Sequence, residues 1–208
     1  MLNAKNWIDQ VFGQTRGRDD GASFIRSLGI LKEARITTAR LTLRALDPKD
    51  LSLLEKILNE NRESFFLIPP NYHDEGEAYL KRVLLAKGKS EEVSDISTYF
   101  ALYDSDRKVF LGFASLDYNA ESNVYSMPYM IAKEEQNKGY GTEALAALVD
   151  VYRKLSSNQI PIQVRVQSTN TASRRVFEKL GFQYQSEVPS RLDEGYQVPP
   201  LSVYELRE

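Results

Sequence analysis

Alternating apolar and polar residues mark strands along the chain, and longer stretches with helical spacing separate them. Leu41–Leu46 alternates and predicts a strand. The following Asp47 and Pro48 predict a helix start, with Asp47 as the N-cap and Pro48 at the first helical position. Three further strands are predicted at Tyr99–Tyr103, Val109–Tyr118 and Val124–Ala132. Because short polar turns join these three strands, they predict an antiparallel meander.

The second half of the chain alternates between helical and strand patterns. A helix is predicted over residues 140–155, followed by a strand at Ile162–Gln167. A second helix is predicted over Asn170–Leu180, with Gly181 just after its end. A last hairpin is predicted from Phe182–Val188 and Leu201–Leu206. This order predicts an α/β (α+β mixed) fold, with a central mixed sheet and helices on both faces.

The first 34 residues follow a different pattern. Apolar residues at helical spacing, separated by a polar glycine-rich stretch, predict two helices that pack on the main domain. The alternative is a partner or dimer surface built around Trp7 and Phe12. We therefore expect an N-terminal helical extension at residues 1–34 and a domain at residues 35–208.

Composition narrows the possible functions. The 208 residues include no cysteine and one histidine, His73, which excludes disulfides, a cysteine nucleophile and a multi-histidine metal site. The net charge of −2 gives no global attraction for nucleic acid. No apolar run approaches the roughly 18 residues that span a bilayer. We expect a cytoplasmic protein with no metal, no membrane contact and no nucleic-acid partner.

A glycine-containing segment lies between the predicted strand at Val124–Ala132 and the helix at 140–155. We call it the phosphate loop, and it consists of Gln136, Asn137, Lys138, Gly139, Tyr140, Gly141 and Thr142. Its two glycines allow backbone N–H groups to converge, and these groups with the positive helix end can bind a pyrophosphate. Lys138 can add a positive charge. The alternative is an ordinary strand-to-helix turn.

Two other phosphate-binding patterns fit less well. The chain has no G-x-x-x-x-G-K-[ST] sequence and no G-x-G-x-x-G sequence that opens a dinucleotide fold. An antiparallel meander also precedes the loop, where a dinucleotide fold requires parallel βαβ units.

A second motif follows about 30 residues later. Asn170-Thr-Ala-Ser173 opens a helix that ends in Lys179-Leu-Gly181-Phe182. With the phosphate loop, this pair of motifs resembles the GNAT superfamily of acetyl-CoA-dependent N-acetyltransferases. Its members have a Q/R-x-x-G-x-G/A loop after a central strand, then an N-x-x-[SA] helix start and a G-F exit. The resemblance implies the GNAT fold, whose sheet splays beside the motif strand, and acetyl-CoA as the donor.

The resemblance is closest to the branch that contains the ribosomal-protein alanine and serine N-terminal acetyltransferases. It covers about residues 35–207 and leaves residues 1–34 unexplained. The segments that carry it are Thr38–Arg44, Asp47–Asp50, Asn59–Arg62, Leu111–Ala114 and Gly139–Ala144.

The family resemblance implies how the donor is held. The pantetheine arm would lie along the open strand edge, on backbone groups of Met130, Ile131 and Ala132. Asn170, which can simply cap its helix, would also contact the pantetheine or a phosphate. Pro128 cannot donate to the strand ladder, so it suits a bulge where the sheet splays, or an edge strand.

The general base is difficult to assign. The related branch usually carries a glutamate early in the motif strand, and Ser126 occupies that position here. Asp117 and Glu121 are nearby carboxylates that could act through water. Each also has a plain interpretation as a strand-end or turn residue. Tyr129 is a further polar candidate, and its alternative role is that of a sheet aromatic.

The departing thiolate requires a proton or a hydrogen bond. Many relatives use a tyrosine seven residues after the motif asparagine, and Phe177 occupies that position here. The N-terminal acetyltransferase branch places a serine three residues after the asparagine. The resemblance therefore implies Ser173 as the donor to the thiolate, and its alternative is a solvated residue of the first helical turn.

The leading hypothesis is direct transfer of acetyl to a primary amine, above all the N-terminal α-amine of a protein. The alternatives are acetylation of a small amine (an antibiotic, a polyamine or an amino acid derivative) and a catalytically weak acetyl-CoA-binding module. The acceptor would contact loops near residues 60–75 and 189–200. The protein is expected to be a monomer or a homodimer.

Overall fold

The computed structural model describes residues 35–61, 95–119, 124–155, 160–189 and 199–206. The two helices predicted in residues 1–34 lie outside the described residues, as do Glu121 and His73. The division into an extension and a domain therefore stays a prediction. The described strands are β1 (Arg35–Thr37), β2 (Leu41–Ala45), β3 (Asp95–Asp104), β4 (Phe110–Asn119), β5 (Val124–Ser126), β6 (Tyr129–Ile131), β7 (Ile162–Gln167), β8 (Gln183–Val188) and β9 (Leu201–Leu206). The described α-helices are α1 (Leu51–Glu60), α2 (Tyr140–Leu155) and α3 (Thr171–Lys179).

The described strands form one mixed sheet in the order β1-β2-β3-β4-β5-β7-β9-β8, with β6 paired to β4. The parallel pairing of β5 with β7 contains a single residue pair, Tyr125 with Ile162. Beyond that point β6 pairs with β4, while the far edge of β7 pairs with β9. The sheet therefore splays between β6 and β7, as the family resemblance implies.

The two faces of the sheet are covered by different helices. Apolar residues of α2 and α3, including Leu145, Leu148 and Phe177, form the larger core cluster on one face. On the other face, Leu54 and Ile57 of α1 pack in a smaller cluster. This arrangement confirms the predicted mixed sheet with helices on both faces, and it places α2 and α3 beside the splay.

Asp47 is the N-cap and Pro48 follows at the first position, as predicted, but the first turn is 3-10 instead of α-helical. Asp47 and Pro48 open a short 3-10 turn, Pro48–Asp50, from which α1 continues. Asp47 accepts from the Lys49 N–H at 2.9 Å, and Asp50 accepts from the Asp47 N–H at 2.8 Å. These reciprocal bonds satisfy backbone donors that a helix start leaves unpaired.

The strand predicted over Val124–Ala132 is divided into β5 and β6 by Met127 and Pro128. The predicted bulge is wrong, because Asp117 opposes Ser126 and Ala114 opposes Tyr129 in one unbroken register. Pro128 still accepts a hydrogen bond from the Ser115 N–H at 2.8 Å. The interruption therefore reflects the N–H that proline lacks, not an inserted residue.

Candidate active site

A cleft of about 520 Å³ opens at the splay, between β6, the phosphate loop and the N-terminal half of α3. Its walls include Tyr129 and Ile131 of β6, Gly139 of the loop, and Asn170 and Ser173 at the start of α3. The two motifs that the sequence separates by about 30 residues therefore contribute to one cavity.

The backbone of β6 presents alternate residues to the cleft. Pro128 accepts from the Ser115 N–H, and the Ala132 N–H donates to the Leu111 carbonyl at 2.8 Å, so both residues face β4. Alternation along a strand directs the backbone groups of Met130 toward β4 as well. The Tyr129 and Ile131 groups consequently face the cleft.

This alternation changes the prediction for the pantetheine contacts. Of the three predicted residues, Ile131 faces the opening, whereas the backbone groups of Met130 and Ala132 are directed into the sheet. Met130 still lines the cleft, and Tyr129 is the other residue whose backbone groups the alternation directs toward it. An extended ligand at this edge would meet the N–H groups of Tyr129 and Ile131.

The backbone of the phosphate loop has positive φ angles at two residues. Asn137 and Gly139 both have positive φ angles, of 61° and 84°. Helix α2 begins immediately afterwards at Tyr140, so the N–H groups of its first turn lack intrahelical acceptors. Gly139, Gly141 and Thr142 line the cleft beside these N–H groups. The arrangement fits a pyrophosphate, which the N–H groups and the positive helix end would stabilise.

The Gln136 side chain is used to hold the loop in place. Its Nε2 donates to the Asn61 Oδ1 at 2.7 Å and to the Ile131 carbonyl at 3.0 Å. Asn61 is buried after the end of α1, and its Nδ2 donates to the Ile57 carbonyl at 2.8 Å. Because both Nε2 hydrogens are occupied, Gln136 links α1, β6 and the loop and has no N–H left for a phosphate.

A network of ion pairs holds the phosphate loop against the turn that follows β3. Arg107 contacts Asp104 at 3.0 Å and Glu135 at 2.8 Å, and Lys138 contacts Glu135 at 2.9 Å. The buried Tyr140 hydroxyl donates to Asp104 at 3.0 Å. The hydrogen bonds from Arg107 and Lys138 lower the pKa of Glu135 to about 2. Lys138 therefore has a carboxylate partner, and Tyr140 acts within the framework of the loop.

Arg40 holds the other side of the loop. Its guanidinium bonds Glu143 of α2 at 2.7 Å and donates to the Lys138 carbonyl at 2.9 Å. The same group lies over the Tyr140 ring, 4.6 Å from the ring centroid. Sequence reasoning missed these roles of Arg40 and Arg107, because neither residue is near the loop in the sequence.

The part of the cleft beside Tyr129 has a different chemistry. The Ser173 hydroxyl hydrogen-bonds to the Tyr129 hydroxyl, and burial raises the pKa of Tyr129 while this bond acts in the opposite direction. The Phe177 ring packs edge-on against the Tyr129 ring with centroids 5.9 Å apart. Two of the candidate catalytic residues are thus in contact.

Gly141 serves this part of the cleft, and its role differs from the prediction. It does not have a positive φ angle. A Cβ atom at Gly141 would lie 2.8 Å from Cε2 of the Tyr129 ring. Its lack of a side chain therefore leaves room for Tyr129, whereas Gly139 supplies the positive φ angle of the loop.

The remaining candidates occupy distinct positions. The Asn170 side chain accepts from the Ser173 N–H at 3.0 Å, so Asn170 caps α3 while it lines the cleft. Asp117 is half-buried opposite Ser126, on the α1 side of the sheet. Ser173 lies on the other side, so Asp117 and Ser173 can meet only through the splay.

Two basic residues in the cleft were also missed. Arg175 and Lys179 are exposed on α3, four residues apart, and both line the cavity. The neighbouring Arg174 instead donates to the Tyr204 hydroxyl at 2.9 Å. The sequence could have placed the two cations together, because positions 175 and 179 are four residues apart on one helix face.

The fold and this cleft define an acyltransferase, and a family comparison identifies it further. A family model described as an acetyltransferase (GNAT) domain matches residues 40–183. The chain belongs to the GNAT acetyltransferases, an enzyme family that uses acetyl-CoA as the donor, and the resemblance seen in the sequence is confirmed. No curated protein sequence matches the chain.

Solved structures share the fold at low sequence identity. An acetyltransferase of the GNAT family from Bacillus anthracis has a TM-score of 0.66 and 18% identity, over 84% of this chain and 98% of its own. The acetyl transferase that modifies the N-terminal serine of ribosomal protein L7/L12 in Salmonella typhimurium has a TM-score of 0.62 and 15% identity, over 82% and 96%. A spermidine N-acetyltransferase from Vibrio cholerae has a TM-score of 0.61 and 21% identity, over 81% and 96%.

None of the helices in the described part of the chain is long and apolar enough to cross a membrane.

Proposed function

We propose that the enzyme transfers acetyl to the N-terminal α-amine of a protein or peptide. The observation that carries this proposal is the state of Glu135, the one carboxylate among the described residues that line the cleft. Arg107 and Lys138 hold its pKa at about 2. A carboxylate with so low a pKa is a weak base, so the described cleft favours an acceptor that loses its proton easily.

The cost of deprotonation separates the possible acceptors. A lysine amine has a pKa near 10.4, and an α-amine has a pKa of about 7.7–8.0. At pH 7.4 the neutral form therefore costs about 4 kcal/mol for lysine and under about 1 kcal/mol for the α-amine. An enzyme without a strong base would consequently acetylate α-amines far more readily.

The charge of the cleft supports the same acceptor. Arg175 and Lys179 are exposed on its wall, while Glu135 is paired with cations. These basic side chains suit the phosphates of the donor and would repel a polycationic acceptor. The resemblance to the ribosomal-protein branch and the structural likeness to the L7/L12 acetyltransferase also support a protein N-terminus.

The second candidate acceptor is a polyamine, because a spermidine N-acetyltransferase shares the fold. Polyamine nitrogens are as basic as lysine, so this reaction would require a carboxylate base. Asp117 is the described candidate, since it lies at the splay on the α1 side. Glu121 is the other candidate, and it lies outside the described residues.

In the proposed reaction, the chain positions the donor and acceptor for direct attack. The first turn of α2 would bind the pyrophosphate, and the N–H groups of Tyr129 and Ile131 would bind the arm that leads to the thioester. Acetyl-CoA supplies the activated acyl group. The amine would enter through the splay from the α1 side, where Asp117 and Ser126 lie.

The test measures CoA release with matched acceptors. One peptide has a free N-terminus and no lysine, a second has a blocked N-terminus and one lysine, and the third acceptor is spermidine. We expect the free N-terminal peptide to react fastest, by up to a few hundredfold at equal positioning. Greater nucleophilicity of the more basic amines reduces this ratio. A fully blocked peptide without lysine measures background hydrolysis.

Faster reaction of spermidine or of the lysine peptide would contradict the proposed acceptor. Asp117→Asn would then show whether Asp117 is the base, because loss of a general base lowers the rate by about 10²–10⁴. Binding of acetyl-CoA without CoA release from any amine would instead indicate a catalytically weak binding module.

A further inference from the structure

The Tyr129 side chain is held on three sides. Gly141 of α2 leaves room for one edge of the ring, since a Cβ there would approach Cε2 to 2.8 Å. Phe177 of α3 packs edge-on with its centroid 5.9 Å away. Ser173, one helical turn before Phe177, hydrogen-bonds to the hydroxyl. Residues of two helices, α2 and α3, thus fix one phenol at the wall of the cleft.

Burial and the hydrogen bond with Ser173 act on the Tyr129 hydroxyl in opposite directions. Burial raises the pKa of Tyr129, and the hydrogen bond with Ser173 opposes this rise, as a bond that stabilises the phenolate does. Because burial raises its pKa above the usual value, Tyr129 is protonated at neutral pH and has a proton to give.

We propose that Tyr129 is the catalytic acid that protonates the departing CoA thiolate, and that Ser173 is a positioning residue that stabilises the Tyr129 oxygen. This assignment rests on the proposed acetyl transfer, and it changes the direct role that the sequence predicts for Ser173. It also accounts for Phe177, which lacks a hydroxyl and supports the ring that carries one.

Each proton in this step has a donor and an acceptor. As the amine nitrogen bonds to the acyl carbon, the bond from that carbon to sulfur breaks, and Tyr129 gives its O–H proton to the sulfur. The phenolate then accepts the Ser173 hydrogen bond. It regains a proton from water, while the new amide nitrogen releases its surplus proton to water.

The first part of the test compares two conservative variants. Tyr129→Phe keeps the ring between Gly141 and Phe177 and removes the hydroxyl. We expect it to lower kcat by about 10²–10⁴, the contribution of a positioned acid, with little change in the calorimetric Kd for acetyl-CoA. Ser173→Ala should lower kcat by about tenfold. Tyr184→Phe, which changes an exposed tyrosine of β8, is the matched control and should behave as the unmodified protein.

The second part uses the pH dependence of kcat for an α-amine acceptor. The rate should fall at high pH as Tyr129 loses its proton. Ser173→Ala should move this fall to higher pH, because the serine hydrogen bond lowers the Tyr129 pKa. Fluorotyrosine at position 129 should move it to lower pH. The charged groups that line the same cleft in the described residues are Glu135, Arg175 and Lys179, and all three are retained in these variants.

Three results would count against the assignment or its basis. Tyr129→Phe with unchanged kcat would overturn the role of Tyr129. A larger loss in Ser173→Ala than in Tyr129→Phe, with no movement of the alkaline limb, would return the donor role to Ser173. If the unmodified protein binds acetyl-CoA but acetylates no amine, the proposed function itself is overturned. Activity of the unmodified protein therefore separates a failure of the proposed function from a failure of the Tyr129 assignment.

Discussion

The two ends of the cleft are built from different interactions. At the phosphate loop, Arg40 and Arg107 bind carboxylates and backbone groups, and Lys138 is paired with Glu135. At the other end, the described contacts around Tyr129 are a glycine, an aromatic ring and the hydroxyl of Ser173. Charged side chains thus fix the end that would bind the donor phosphates, and neutral groups surround the end where bonds would change.

The difference has a physical reason. A pyrophosphate carries permanent charge, so a loop with fixed N–H groups and a helix dipole binds it in one position. A departing thiolate develops charge only during the reaction. A neutral acid held in place suits that end, because it donates a proton to the thiolate as charge develops and does not stabilise the bound substrate beforehand. Substitutions at the phosphate loop should therefore weaken acetyl-CoA binding, whereas substitutions around Tyr129 should lower kcat.

Substitutions at Gly139 and Gly141 should show the largest difference between the two ends of the cleft. They are two residues apart, yet Gly139 shapes the loop and Gly141 makes room for Tyr129. Gly141→Ala should displace the ring and lower kcat by about a hundredfold, the cost of a misplacement near 1 Å. The acetyl-CoA Kd, measured by calorimetry, should change much less.

Gly139→Ala is the companion variant. Its φ of 84° is unfavourable for alanine, which adds strain of about 1–2 kcal/mol to the loop. We expect weaker acetyl-CoA binding and a kcat close to that of the unmodified enzyme. Equal loss of binding in both variants would show that the two ends are not separate.

The exposed cations Arg175 and Lys179 should give the next largest effect. If they bind phosphate groups of the donor, replacing both with alanine should raise the KM for acetyl-CoA by about tenfold, or 1.4 kcal/mol. The effect should shrink in concentrated salt, where the Debye length falls to about 3 Å at 1 M. Lys154→Ala, an exposed lysine of α2 away from the cleft, is the control. A KM independent of both residues and of salt would remove them from the site.

Arg107 should make the thermal stability of the protein depend on pH through its ion pair with Glu135. Arg107, together with Lys138, lowers the pKa of Glu135 to about 2, below its unfolded value of about 4.3. A lowered carboxylate pKa stabilises the fold above the unfolded pKa, and this stability is lost as pH falls toward 2. Arg107→Met should therefore lower Tm at pH 7, and the difference from the unmodified protein should shrink between pH 4.5 and pH 2. A Tm difference that does not vary with pH would indicate that lost packing dominates.

Phe177→Tyr should have the smallest effect on turnover. Since Tyr129 already supplies a phenol, a second one on α3 should change kcat by less than about threefold, or 0.7 kcal/mol. The new hydroxyl would enter a buried site, because Phe177 is 3% exposed, so some loss of stability is expected. A tenfold gain in kcat would instead show that the site had lost its acid with the tyrosine at position 177.

Local patterns predicted much of the fold. The strands β7 and β9 and the helix α2 have the predicted bounds, because each has clear periodicity and a distinct start and end. Strand β1 was missed, since three residues with one buried side chain, Ile36, carry no periodic signal. The strand through Pro128 was predicted as continuous, because apolar spacing does not report which N–H groups are absent.

The candidate site was predictable where one motif forms it. The phosphate loop and Asn170 are contiguous with helix starts, so their backbone roles follow from local chemistry. The contact between Tyr129 and Ser173 joins residues 44 positions apart, and the bond between Gln136 and Asn61 joins residues 75 positions apart. Such contacts depend on the sheet order, which the hydrophobic pattern alone does not specify.

Competition within one peptide compares the α-amine and the lysine side chain under identical conditions. The peptide carries a free N-terminus and one lysine, and fragment mass spectrometry locates the acetyl group after partial reaction at pH 7.4. We expect acetylation mainly at the α-amine, because its neutral form costs about 3.5 kcal/mol less than that of lysine. The α-amine rate should also rise with pH and level off near the pKa of that amine. Predominant acetylation of the lysine side chain would show that the enzyme does not select the α-amine and that it supplies a strong base.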